Sequence, residues 1–171
     1  MTERYYLAYG SNLHPLRLAQ RVPSARLVGT TPLPGYRLAF HKRGMDGSAK
    51  CDLELTDDSG SLAYGAVYSL ATPDIARLDR LEDLGTGYFK EQVTLRVDGV
   101  ALSAFVYFAS HTHVAPDLLP FDWYLGFVLA GARRHGFPAE YVAQVAAVPH
   151  QTDPNEGRRR GMLELLERLD G

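Results

Sequence analysis

The sequence predicts an α+β domain built on a largely antiparallel sheet, curled or closed, with helices on its outside. Three observations predict it. Strand-like segments crowd the first two-thirds of the chain at hairpin-like spacing, only two helical segments interrupt them, and helical periodicity takes over after residue 120. A doubly wound nucleotide-binding sheet needs strands that alternate regularly with helices, and this chain lacks that alternation. At 171 residues the chain suits a single domain, residues 1–171, with one substantial core.

The elements follow in order. A strand is expected at about residues 4–9, then a turn and a short helix at about 14–21, with Pro15 well placed for its first turn. Strands at roughly 25–31, 35–42, 50–56 and 62–70 are punctuated by Gly and Asp clusters at 44–47 and 57–60. Residues 71–84 read as a helix with Thr72 as N-cap and Pro73 at the first helical position. Two strands, about 88–97 and 101–109, are joined at Asp98-Gly99, a strong hairpin signal. The clearest helix is 120–135, where Phe121, Tyr124, Leu125, Val128, Leu129 and Ala132 recur at 3.6-residue spacing and Gly136 stops the run. Helices at about 138–147 and 156–169 complete the chain.

Composition excludes several functions. The net charge of −2 gives no strong field for nucleic acid or an acidic membrane surface. The one basic cluster, Arg158, Arg159 and Arg160, reads as a solvated helix start. The longest apolar run, residues 124–132, is far too short to span a bilayer, and no secretory leader is expected at the N-terminus. The single cysteine, Cys51, permits neither an internal disulfide nor a thiolate metal cluster, and its place in a strand suggests a buried small hydrophobe. His111-Thr112-His113 offers two imidazoles with no third ligand at a recognised spacing, so a polar loop is expected there. No phosphate-binding glycine motif, HExxH or GxSxG is present, which leaves cofactor-free acid–base chemistry as the open enzyme class.

Three features could carry such chemistry. Tyr9-Gly10-Ser11-Asn12-Leu13 lies between a strand and a helix, where glycine lets the chain bend and a ligand approach. Successive amides there can form a nest for an anion or an oxyanion, although Ser11 and Asn12 serve equally as turn and capping residues. Glu82 lies at the edge of the stripe defined by Ile75, Leu78 and Leu81, where partial burial would raise a carboxyl pKa as a general base needs; the alternative is a solvated glutamate paired with a neighbour. Asp79 and Asp83 lie further round the helix. Tyr88, Tyr107 and Tyr124 are either core residues with a satisfied hydroxyl or residues aiming that hydroxyl into a pocket.

Taken together, these residues resemble the γ-glutamyl cyclotransferase family. Tyr9-Gly10-Ser11-Asn12-Leu13 after an apolar strand is similar to the family signature. Leu78-Asp79, Leu81-Glu82 and Gly87-Tyr88 are similar to the segment that carries its catalytic glutamate. Tyr107 sits where the family has a tyrosine near the end of the following hairpin. Pro120 to Tyr124, Gly131-Ala132 and Gly136-Phe137-Pro138 with Tyr141 resemble its C-terminal pattern. The likeness runs from Tyr5 to about Pro149, while residues 43–50 and the tail after His150 depart from it.

The resemblance implies a mixed, mostly antiparallel β-barrel with flanking helices. It implies cleavage of a γ-glutamyl amide by attack of the glutamyl α-amine, giving 5-oxoproline, with Glu82 as general acid and base. Tyr9, Gly10, Ser11, Asn12, Leu13, Tyr88, Tyr107 and Tyr124 would hold the substrate. Glutathione-specific relatives typically read YGSL in the turn, so Asn12 points to the branch acting on γ-glutamyl amino acids or amines. The expected partner is a small γ-glutamyl molecule, with no metal or cofactor, no nucleic acid and no membrane. The expected compartment is the cytoplasm, and the reading is compatible with a homodimer. The rivals are a non-catalytic small-molecule-binding domain of the same fold and a structural protein with an incidental YGSN.

Overall fold

The computed structural model describes residues 3–170. The elements in chain order are β1 (Glu3–Ala8), α1 (Pro15–Arg21), β2 (Arg26–Pro34), β3 (Tyr36–Arg43), β4 (Ala49–Leu55), β5 (Leu62–Ala71), α2 (Thr72–Leu81), β6 (Tyr88–Val97), β7 (Val100–Ala109), a 3-10 turn (His111–His113), α3 (Asp122–Arg134), α4 (Ala139–Ala146) and α5 (Glu156–Asp170). This is the α+β architecture that the sequence predicts.

Five strands form one sheet in the order β2-β5-β1-β7-β6, and β3 and β4 form a separate two-stranded ribbon. All pairings are antiparallel except β1 with β7, where Tyr5 faces Ala104 and Tyr6 faces Phe105. The sheet curls until its outer strands β2 and β6 touch, and the ribbon packs on β5 and β7. The result is a half-barrel whose open side is covered by the ribbon. The second half of β1 and most of β5 are buried on both faces, as is the 104–107 run of β7. That explains why these strands read as continuous apolar runs instead of alternating ones.

Local chemistry sets the boundaries. Asp98 (φ 49°) and Gly99 (φ 80°) form the tight turn between β6 and β7. Asp122 in the first turn of α3 and Arg133 and Arg134 in its last complement the helix dipole. Gly136, at φ 63°, ends that helix. Two expectations fail at α2. Its N-cap is Ala71, with Thr72 already helical, and it stops at Leu81 rather than running to residue 84. The cause is a left-handed turn. Asp83 adopts φ 52°, its amide bonds Arg80 O, and the Leu84 amide bonds Asp79 O. Glycine usually fills that position, and aspartate gave no warning of it in the sequence. Leu81, expected on the buried stripe, is 43% exposed, while Leu78 is fully buried.

The C-terminal tail is fastened by charge. Asp153 is buried and accepts bonds from Trp123 Nε1 (2.8 Å) and from Arg158 (2.6 and 2.7 Å), while Arg159 pairs with Asp122 at 2.7 Å. Two of the three arginines expected to be solvated therefore clamp α5 onto α3. No helix of the described residues is long and apolar enough to cross a membrane.

Candidate active site

The turn after β1, the end of α2 and the ribbon converge on a cavity of about 30 Å³. Larger grooves exist, including one of about 430 Å³ between the ribbon side and α4, but the small cavity gathers the proposed acid, the YGSN turn and five tyrosines. Its walls are the side chains of Tyr6, Tyr9, Tyr88, Tyr107 and Tyr124, with Cys51, the Gly10-Ser11-Asn12 turn and Glu82 completing it. Eight of the nine residues singled out in the sequence thus meet here. The ninth, Leu13, is fully buried and does not line the cavity; its carbonyl accepts bonds from Tyr68 and His135.

Glu82 caps the C-terminus of α2, so the left-handed turn at Asp83 fixes the direction of its side chain. Its Oε1 accepts a bond from Asn12 Nδ2 at 2.9 Å and lies 3.3 Å from Arg21. Arg21 also donates to Asn12 Oδ1 at 2.6 Å, and Asn12 Nδ2 lies 3.1 Å from the Tyr6 hydroxyl. The buried Asn12 amide therefore has one satisfying orientation: oxygen to the cation, nitrogen to the carboxylate. The sequence puts Glu82 at the edge of an apolar stripe, with pairing to a neighbour as the alternative; its side chain is 16% exposed, and a cation and an amide hold it.

Gly10 has an ordinary negative φ, so the turn does not need glycine for its backbone angle. It needs glycine for space, because a Cβ there would stand 2.8 Å from Cys51 Cβ and 3.7 Å from the Tyr124 hydroxyl. The Leu13 amide bonds back to Gly10 O at 3.1 Å, while the amides of Gly10, Ser11 and Asn12 donate to no protein group among the described residues.

The tyrosine hydroxyls mostly build the site. Tyr88 donates to Cys51 O at 2.6 Å, and Tyr124 accepts from Cys51 N at 2.9 Å. Tyr107 donates to Asp79 at 2.6 Å, and Lys90 holds both oxygens of that carboxylate at 2.8 and 2.9 Å. Tyr9 donates to Tyr107 O. Burial pushes all five wall hydroxyls upward. Burial also pushes the Cys51 thiol up to about 12, which leaves it protonated and a poor nucleophile at neutral pH. The buried small hydrophobe expected at Cys51 is there, but as a wall of the cavity.

Arg21, Tyr6 and Cys51 were not singled out as site residues. The only local hint for Arg21 is its place in the last turn of α1, where a basic residue is ordinary. Asp79, placed further round the helix, in fact supports the wall through Tyr107. His111, Thr112 and His113 form the 3-10 turn outside the cavity. Among the described residues, no three His, Cys, Asp or Glu side chains gather as a metal site requires.

Known proteins share this arrangement of elements. A solved structure of a gamma-glutamyl cyclotransferase superposes with a TM-score of 0.84 at 20% identity, covering 98% of this chain and 99% of its own. An uncharacterized protein from Homo sapiens gives 0.80 at 20% identity over 98% and 99%. Among curated sequences, gamma-glutamylcyclotransferase from Mus musculus is 27% identical over 161 residues, 88% of this chain and 79% of that protein. The Homo sapiens protein of that name is 25% identical over 156 residues, with the same shares. Residues 6–125, which hold every wall of the cavity, match the family described as Gamma-glutamyl cyclotransferase, AIG2-like, and the chain belongs to that family.

Proposed function

We propose that the protein is a γ-glutamyl cyclotransferase acting on γ-glutamyl amino acids or γ-glutamyl amines. The observation that carries this reading is the Glu82 carboxylate, held by Asn12 and Arg21 at a cavity shared with three turn amides that donate to no protein group among the described residues. The relatives' names, at 25–27% identity, point the same way.

In this reading the glutamyl part enters the tyrosine-walled cavity with its α-amine near Glu82. The amine nitrogen attacks its own γ-carbonyl carbon, closing a five-membered lactam. The attack is intramolecular, which lowers the entropic part of the barrier. Glu82 takes a proton from the attacking nitrogen, and the amides of the 10–12 turn stabilise the oxyanion. The old amide bond then breaks, and Glu82 returns the proton to the departing amine. Overall, two protons leave the ammonium nitrogen and two reach the leaving nitrogen, so neither water nor an oxidant is consumed. Asn12 and Arg21 keep the carboxylate aimed, and Tyr88, Tyr107 and Tyr124 fold the substrate into its cyclising shape.

The test is direct. The purified protein is incubated with a panel of γ-glutamyl amino acids and γ-glutamyl amines, and 5-oxoproline is measured. Stoichiometric release of 5-oxoproline and free amine from at least one member supports the reading. Ligand binding without release across the panel favours the non-catalytic alternative.

A further inference from the structure

We propose that Lys42 is the receptor for the carboxylate of the leaving amino acid, which would make γ-glutamyl amino acids, rather than carboxylate-free amines, the preferred substrates. The inference rests on the cyclotransferase reading and deepens it.

Lys42 is an expensive residue where it stands. It is 4% exposed, and no carboxylate of the described residues lies within 4 Å of its ammonium. A buried cation without a partner loses hydration for no direct ionic return. Its cross-strand neighbour is another cation, Lys50, and like charges facing across a strand pair repel. The register of the ribbon slips between Phe40 and Lys42, leaving His41 as the extra residue of a bulge. Such bulges re-aim the side chains that follow them.

The bulge carries Lys42 to the site. Its Nζ lies 4.5 Å from the centre of the Tyr88 ring, and Lys50 lies 4.7 Å from that of Tyr124. Both rings wall the cavity. The two lysines differ in one respect: Asp46 grips Lys50 at 2.7 Å and neutralises it, whereas Lys42 feels Asp83, Glu82 and Asp46 only from a distance. Gly87 makes room for it, since a Cβ there would overlap the Lys42 ammonium. One positive charge with no carboxylate in direct contact therefore stands beside Tyr88, with Asp83 and Glu82 as its nearest counter-charges.

The leaving group is the part of the substrate that can use that charge. A cavity of about 30 Å³ has room for roughly two waters, less than a glutamyl group needs, so its tyrosine walls must part for the substrate, and the leaving group lies at the rim by the Tyr88 ring that Lys42 covers. In a γ-glutamyl amino acid the second carboxylate carbon is only about 2.5 Å from the leaving nitrogen. A carboxylate so placed would supply the ionic partner that Lys42 lacks. An alkylamine would leave the ammonium as it is.

The experiment compares γ-glutamyl-alanine with γ-glutamyl-ethylamide in 5-oxoproline release by the wild type, Lys42→Met and Lys42→Arg. The expected wild-type preference in kcat/KM for the dipeptide is about ten- to a hundredfold, the scale of one charge-assisted hydrogen bond. Lys42→Met should bring the ratio close to one, mainly through KM for the dipeptide, and Lys42→Arg should retain most of it. Melting temperatures report folding, and Met should be tolerated because an unpaired buried charge is being removed. Equal wild-type rates on both substrates, or a Met variant that keeps the preference, overturns the role of Lys42 and leaves the cyclotransferase reading standing. Release from neither substrate, nor from any of the wider panel, overturns both.

Discussion

Replacing Glu82 with glutamine separates chemistry from architecture. Glutamine keeps the shape and an oxygen able to accept the Asn12 bond that Glu82 now takes at 2.9 Å. It loses the charge opposite Arg21, 3.3 Å away, in a pair whose side chains are 18% and 16% exposed. Such a partly exposed pair contributes about 1 kcal/mol, and Arg21 keeps its 2.6 Å bond to Asn12. For a chain of this length that corresponds to a Tm change of roughly 2–4 °C. The amide cannot take the proton of the attacking amine, so kcat should fall by about a hundredfold to ten-thousandfold, the scale of losing a general base. That is roughly 3–5 kcal/mol of barrier, several times the structural cost. The assay is 5-oxoproline release by variants shown to be folded by circular dichroism and melting. Asp79→Asn is a poor neutral control, because Asp79 holds Tyr107 and Lys90; Glu91→Gln on the exposed face of β6 is a better one. Near-normal release from folded Glu82→Gln would mean that another group moves the proton.

Three further outcomes follow from the geometry. Gly10→Ala sets a methyl 2.8 Å from Cys51 Cβ and should destabilise the fold by about 1–3 kcal/mol; an unchanged melting temperature would refute the packing argument. Cys51, buried and with its thiol pushed up to about 12, should resist iodoacetamide at pH 7.5 until guanidinium unfolds the chain; modification of the folded protein at the rate of a free thiol would contradict this. The bonds from Arg158 and Trp123 hold the Asp153 carboxyl well below the usual carboxylate range, so its stabilisation is complete above the unfolded pKa near 4 and is lost as pH falls through the lower folded value. Asp153→Asn should therefore lower Tm at pH 7 and lower it progressively less below about pH 4, which melts of both proteins across that range will measure.

Much of the fold was legible because its signals are local. The Asp98-Gly99 turn, the periodic face of α3 and the stop at Gly136 each depend on a few neighbouring residues, and each is present. The end of α2 was not legible, because an aspartate occupies the left-handed position where glycine would have announced the stop. Within the site, the YGSN turn and Glu82 stood out by residue type and by family likeness. Arg21 and Cys51 did not, since each acquires its place only through the fold, from residues 61 and 73 positions away. The fastening of Arg158 and Arg159 is hidden for a similar reason: their charges read as solvated until α5 lies against α3.

The Cys51 backbone has one more consequence. Strand β4 pairs with β3 on one side only, and at Cys51 the N–H and C=O that would meet a strand on its other side are taken by the hydroxyls of Tyr124 and Tyr88. Two phenols thus substitute for a missing strand and seal the seam of the half-barrel. The seal is made of side chains, each held in place by its packing against Tyr107 or Trp123. The Ala49 amide, bonded to Leu119 O, and the Asp52 carboxylate, which accepts from the Ala109 amide, tie the same strand at other points, so a tyrosine-to-phenylalanine change at position 88 or 124 would leave one Cys51 backbone group without its partner while the rest of the edge stays covered.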